Sequence, residues 1–329
     1  MNQIKIYKDK DVEEGILESK NIGIIGYGNQ GKAQALNLKD SGLEVMIGLR
    51  ANSPRKKEAK LDGFSVCSIN DLIIKSDIVC FMIPDEEIPN IFSDLLFRKG
   101  QSLLFSHGYV IHFKEIIPPK FVNVILVAPS GSGKMVREKF LENTGVPSLI
   151  AVEKNYTGDA LEIALAYSKG IGSTRVGVFI SSFSEETITD IFGEQVILTG
   201  SIPRLIRESF NVLLEAGYAP ELAWLVCYYE VKSIIDSFHE NGFDFLNNSI
   251  SNLAEYGGAT RGGRLIDEKS KNEMKKILKE IEDGSFKSEW EEEKKRKNKF
   301  LHSNRDEIKN SKIEKITRQL LALLDKNKI

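Results

Sequence analysis

The chain has 329 residues and a formal net charge of −2, from 45 lysines and arginines against 47 acids. Acids and bases are interspersed, which excludes a whole-chain electrostatic drive towards nucleic acid or an anionic membrane surface. No apolar run approaches the roughly 20 residues needed to span a bilayer, so neither a membrane nor a nucleic acid is expected as partner.

The opening segment, MNQIKIYKDKDVEEG, is too charged for a secretory signal. Strand-like runs occur at Ile22–Gly26, Glu44–Gly48, Ile78–Ile83, Leu103–Ser106, Val122–Ala128 and Ser148–Val152, and a last one at Val176–Ile180. Helical or turn segments separate them, a pattern that predicts an α/β domain with a doubly wound, mainly parallel sheet over residues 1–182. Ligands should then lie at the carboxyl ends of its strands. Within IGIIGYGNQGKAQALNL, a strand runs into a glycine-punctuated turn and then a helix. Gly26 suits the tight turn, Gly28 lets a pyrophosphate approach the backbone, and Gly31 lets helix and strand pack closely. The unpaired N–H groups of the helix start favour the phosphates. Tyr27, Asn29 and Gln30 complete this candidate dinucleotide turn.

After the second strand, Arg50 stands where an NAD-specific fold usually carries an acid, with Ser53, Arg55 and two lysines beyond it. Guanidinium groups and a hydroxyl suit a ribose 2′-phosphate, so NADPH is the expected cofactor. An ordinary basic loop would share this composition. The stretch GSGK is no phosphate loop, because Ala128 and Met135 occupy positions that need Gly and Ser or Thr. Cys67, Cys80 and Cys227 stand far apart among apolar neighbours, as reduced core residues do. His112, His239 and His302 show no metal-ligand spacing. These features together predict a cytoplasmic enzyme.

From about Ser184 onward the periodicity becomes helical, through Thr187–Leu198, Leu205–Ala216, Pro220–Phe238 and Ile250–Tyr256. An all-helical second domain is therefore expected over 183–329. Its charged tail, Lys271–Lys328, contains EWEEEKKRKNKF, which reads as a solvated helix face. Asp190 and Glu194 are spaced i,i+4 and project from one helix face, as a magnesium site or a solvated acidic face would require.

Nine ordered segments carry a resemblance: GYGNQGKAQALNLKDSG, GLR, IPDEE, SHGYVIHF, VAPSGSGK, GVP, FGEQ, LLEAGYAPELAW and NSISNLAEYG. In this order, over nearly the whole chain, they resemble the short class of the ketol-acid reductoisomerase family. The resemblance implies a Rossmann domain followed by a knotted helical domain, with two chains interlocked so that each active site draws on both. It implies a magnesium-assisted alkyl shift in a 2-hydroxy-2-alkyl-3-oxo acid, then reduction of the 2-oxo acid by NADPH. Asp190 matches the carboxylate that bridges two magnesium ions, and Glu194 a second ligand of one. Glu230 matches an acid from the partner chain near the second ion. Ser251 matches the serine that holds the substrate carboxylate, and His107 a histidine beside the nicotinamide. Ile83, Pro84 and Asp85 match the loop along the cofactor, and Gly133 joins the cofactor-binding set.

Two positions depart from the family pattern. Ser130 replaces a catalytic-site lysine within APSGSGK, and Val226 replaces a glutamate four residues before Glu230; Tyr229 also replaces a common histidine. Valine offers a metal ion no oxygen, so a second magnesium ion loses a ligand. The alkyl shift needs a two-metal clamp, whereas hydride delivery needs an oriented oxo acid and a proton donor. The expectation is a reductase of a small 2-oxo acid with isomerisation lost or weak. A complete reductoisomerase of valine and isoleucine synthesis is the first alternative, and an inactive NADPH-binding scaffold the second.

Overall fold

The apolar runs of the first half pair into one sheet because strands buried on both faces need no polar alternation. In the computed structural model, which describes residues 4–324, nine strands form a single sheet. They are β1 (Ile6–Tyr7), β2 (Ile22–Ile25), β3 (Val45–Gly48), β4 (Ser65–Cys67), β5 (Ile78–Phe81), β6 (Ser102–Phe105), β7 (Asn123–Pro129), β8 (Ser148–Lys154) and β9 (Val178–Ile180). Their spatial order is β1-β9-β8-β7-β6-β5-β2-β3-β4. From β4 to β7 neighbouring strands are parallel; β7 with β8 and β1 with β9 are antiparallel. The chain winds outward from β2 through β3 and β4, then returns to β2's other side with β5. That reversal opens a crevice at the carboxyl ends of β2 and β5.

Every residue of β2, β5 and β6 is buried. Helices Asn29–Asp40 and Ala160–Gly170 pack on the sheet through Ala35, Leu38, Ala164 and Tyr167. Buried Asn37 donates to the carbonyls of Val136 and Ile171, at 3.2 and 3.1 Å, tying the first helix to helix Gly133–Leu141. Strands β1 and β4 were not foreseen; two and three residues carry too short a pattern to read. Of the three free cysteines, Cys80 is buried, while Cys67 and Cys227 are half-buried rather than core.

The chain divides into two compact units, Met1–Thr187 and Ile188–Ile329. The second unit is helical throughout its described part, up to Leu324; the last residues of the charged tail lie outside the described residues. One core cluster among its described residues joins Phe210, Ala223, Trp224 and Ile313, with Trp224 Nε1 donating to Thr317 Oγ1 at 2.8 Å. Helix Lys312–Leu324 contributes to this packing through Ile313 and Thr317. Much apolar surface in this unit stays exposed, including Val212, Leu222, Val226, Tyr229, Leu253 and Tyr256.

Candidate functional site

Three backbone segments converge at the crevice because three glycines permit it. Gly26 has φ +100°, and a Cβ there would lie 2.5 Å from the Met82 carbonyl oxygen. A Cβ on Gly31 would lie 2.8 Å from the Gly26 carbonyl oxygen, and one on Gly133 only 2.1 Å from that of Asn29. Gly28 has open space above it and forms the N-cap of helix Asn29–Asp40 without a side-chain cap bond. The first N–H groups of that helix lie beside this open space, where an anion could accept from them. Gln30 Nε2 donates to the Gly131 carbonyl at 2.8 Å, locking the turn to the Ser130–Gly133 loop.

A cavity of about 310 Å³ lies against this turn, lined by Gly28, Asn29, Pro84, Asp85, Ser106 and His107 among others. Ile83 lines it as well. His107 comes just after β6, and its Nδ1 lies 2.6 Å from Asp85 Oδ2. The Gly108 N–H donates to Glu186 Oε2 at 2.7 Å. Glu186 is only 3% exposed, in helix Phe183–Gly193. It anchors the loop that presents His107, and sequence reasoning missed it. Its place four residues before Asp190, with Glu194 four further on, was the available signal.

The Tyr27 side chain is engaged within the fold. Its ring is buried against Phe64, and its hydroxyl donates to Asp62 at 2.7 Å. Burial, then the Asp62 bond and charge, pushes its pKa well up. With its hydroxyl taken by Asp62, the part of Tyr27 that continues the glycine turn is its backbone. Lys32 pairs with Glu58 at 2.8 Å and Asp62 at 3.1 Å, and the hydrogen bond to Glu58 chiefly raises its pKa. Arg55 pairs with Glu58 at 2.8 Å, and Arg50 with Glu87 at 3.2 Å. Ser53 Oγ accepts from the Arg55 N–H at 3.3 Å. The basic loop is thus held by acids that its composition did not single out.

Ser130 is exposed, its N–H on the Pro147 carbonyl at 2.8 Å. Lys134 lies one turn on and pairs with Glu138 at 3.6 Å. It lines a cavity of about 320 Å³ with Arg55 and Glu58.

In the helical unit, Asp190 and Glu194 are both exposed. Glu194 opens a π-helical turn, Glu194–Leu198, that continues helix Phe183–Gly193. A second π turn, Leu225–Tyr229, ends at Glu230, whose N–H bonds the Leu225 carbonyl at 3.0 Å. Such turns are rare and concentrate at functional sites, and here both adjoin resemblance-assigned carboxylates. Ser251 caps helix Asn252–Leu265, its Oγ accepting from the Ala254 N–H at 3.2 Å. Among the described residues no cluster of three metal-capable side chains forms within one chain.

Residues 16–177 match the family model described as acetohydroxy acid isomeroreductase, NADPH-binding domain. Residues 183–326 match that of the ketol-acid reductoisomerase C-terminal domain. The chain belongs to the ketol-acid reductoisomerase family. It is 47% identical to a ketol-acid reductoisomerase (NADP(+)) of Methanocaldococcus jannaschii, over 96% of this chain and 97% of that one. A solved NADH-preferring ketol-acid reductoisomerase from an uncultured archean matches with TM-score 0.95 and 41% identity, over 97% of this chain and 99% of that one. A semialdehyde dehydrogenase NAD-binding protein from Cupriavidus necator shares the fold alone, at TM-score 0.60 and 15% identity over 80% of this chain and 99% of that one. As a member of this family the chain is an oxidoreductase, with a Rossmann domain ahead of its helical part.

The convergence of backbones makes one outcome specific. Gly133→Ala drives a methyl group into the Asn29 carbonyl, so NADPH affinity should fall at least about tenfold, the effect of displaced phosphate-binding N–H groups. Quenching of protein fluorescence by NADPH measures it, with far-ultraviolet circular dichroism unchanged.

Proposed function

We propose that the chain is a ketol-acid reductoisomerase that isomerises a 2-hydroxy-2-alkyl-3-oxo acid and reduces the product with NADPH. The observation that carries this reading is the match of both units to a reductoisomerase at 47% identity along almost the entire length. When bound, the cofactor would supply hydride; the Gly26–Gly31 turn would hold its pyrophosphate, with Arg50, Ser53 and Arg55 at the 2′-phosphate. A relative described as NADH-preferring shares the backbone, so selectivity rests on side chains of this loop. His107, lining the cavity beside the turn, would exchange a proton with substrate oxygen.

Asp190 and Glu194 fit magnesium by chemistry: two exposed carboxylates on one helix face provide hard oxygen donors with room for water. When bound, the ion would polarise the carbonyl. Glu230 and Ser251 would complete the site from a second copy of the chain. The exposed apolar side chains of the helical unit support a homodimer with shared sites.

A second reading is favoured by Ser130 and Val226. Without those lysine and glutamate side chains the two-metal clamp is incomplete, and the engagement of Lys134 by Glu138 supports no replacement. On this reading reduction of a small 2-oxo acid survives and isomerisation is weak.

One assay separates the two. Supplied separately with NADPH and Mg²⁺, a 2-hydroxy-3-oxo acid and a 3-hydroxy-2-oxo acid should both be consumed by a complete reductoisomerase. Consumption of only the second establishes the reductase, and consumption of neither leaves the inactive scaffold. Arg50→Ala should raise the Kd for NADPH about tenfold while leaving NADH nearly unchanged, as loss of one charge-assisted bond at an exposed site does; fluorescence titration with each reads the ratio. For the shared site, Asp190→Asn and Glu230→Gln should each inactivate. Co-expressed, they should regain activity, because one of the two sites in a mixed dimer then has both native residues.

A further inference from the structure

The family resemblance places Asp85 along the cofactor, yet its carboxylate reaches the histidine. Asp85 opens the short turn after Pro84, and its Oδ2 lies 2.6 Å from His107 Nδ1. The side chains are 28% and 26% exposed, so solvent screens this pair less than the surface pairs around it. We propose that Asp85 is a positioning residue for His107, fixing the imidazole through Nδ1 so that Nε2 is the nitrogen that exchanges a proton with the oxo acid. This rests on the reduction proposed above.

The argument is one of donors and acceptors. An ionised carboxylate only accepts, so Nδ1 must be the donor, and the ring's tautomer and plane are set by that bond. Three neighbouring groups are engaged in their own contacts. Tyr109 lies 6.1 Å away, nearly parallel, and steadies the ring face. Glu186 holds the neighbouring Gly108 N–H. Glu87, two residues after Asp85, turns to Arg50. Asp85 and His107 both line the cavity that Gly28 and Asn29 close.

In the reduction, hydride addition to the 2-oxo carbon breaks the carbonyl π bond and leaves an electron pair on its oxygen. The imidazolium Nε2–H bond breaks and an O–H bond forms there, giving the hydroxy acid. His107 is left neutral, its Nδ1–H still donated to Asp85, and one proton from solvent restores the Nε2–H before the next turnover. Net consumption is one oxo acid, one NADPH and one proton, with NADP⁺ and hydroxy acid as products.

Asp85→Asn keeps the shape and removes the charge. In the ligand-free protein with ¹³C-labelled histidine rings, the four histidines titrate as separate signals, and His107→Asn identifies the one from His107. A nearby carboxylate favours the charged ring, so Asp85→Asn should lower the His107 midpoint by about one pH unit. Unmoved signals from the other three report an intact fold. With NADPH and a 3-hydroxy-2-oxo acid, kcat should fall about tenfold to a hundredfold, with the KM for NADPH nearly constant. Asp85→Glu should recover part of both effects. An unmoved midpoint, or a raised KM for NADPH with unchanged kcat, would overturn the assignment and make Asp85 a cofactor contact. If the native protein reduces no oxo acid, the proposed function fails, while the titration still decides whether Asp85 governs the ring.

Discussion

Backbone can approach backbone only where no Cβ intervenes, and the site is built on three such approaches. Gly26 lets β2 turn beneath the Met82 carbonyl, Gly31 brings the helix against that turn, and Gly133 lets the Ser130–Gly133 loop rest on Asn29. Each glycine costs conformational entropy on folding, and the apolar burial of β2, β5 and β6 beneath offsets it. The gain is positional. Segments just after β2, β5, β6 and β7 meet within one crevice, so the helix N-terminus, Asp85 and His107 share a single cavity.

Around that framework, charge acts by orientation more than by stability. Arg50, Arg55 and Lys32 each contact an acid. Exposed pairs of this kind contribute only about 0–1 kcal/mol, so they do little to hold the fold. They do restrict the rotamers of long side chains that would otherwise lose entropy on meeting an anion. Glu186 differs, because it is buried. Its bond to the Gly108 N–H satisfies a buried donor and fixes the loop bearing His107 from the start of the helix that continues to Asp190.

The sheet was legible because β2, β3, β5, β6 and β8 are apolar or β-branched runs bounded by turn residues. The glycine spacing also announced its own steric requirements. Strands β1 and β4 were illegible because two or three residues have no period to count. Partners distant in sequence escaped as well. Nothing in SEETITD distinguishes buried Glu186 from exposed Glu185, because only the fold brings Gly108 to one of them. Tyr27 deceived in the opposite direction: a polar aromatic inside a binding motif reads as a ligand contact, until Asp62, 35 residues on, takes its hydroxyl. Asp190 and Glu194 were singled out by spacing and Glu230 by resemblance, whereas the π turns beside them have no sequence signature.

Those π turns bear on the two departures from the family pattern. A π turn adds a residue to the helical path and re-aims the side chains beyond it. The turn Leu225–Tyr229 keeps Glu230 at its end. The backbone that presents Glu230 is therefore in place, although Val226 within the turn carries no carboxylate. Ser130 and Val226 are each exposed, so neither departure leaves a buried charge without a partner, and Asp190 and Glu194 still offer hard oxygen donors on one exposed helix.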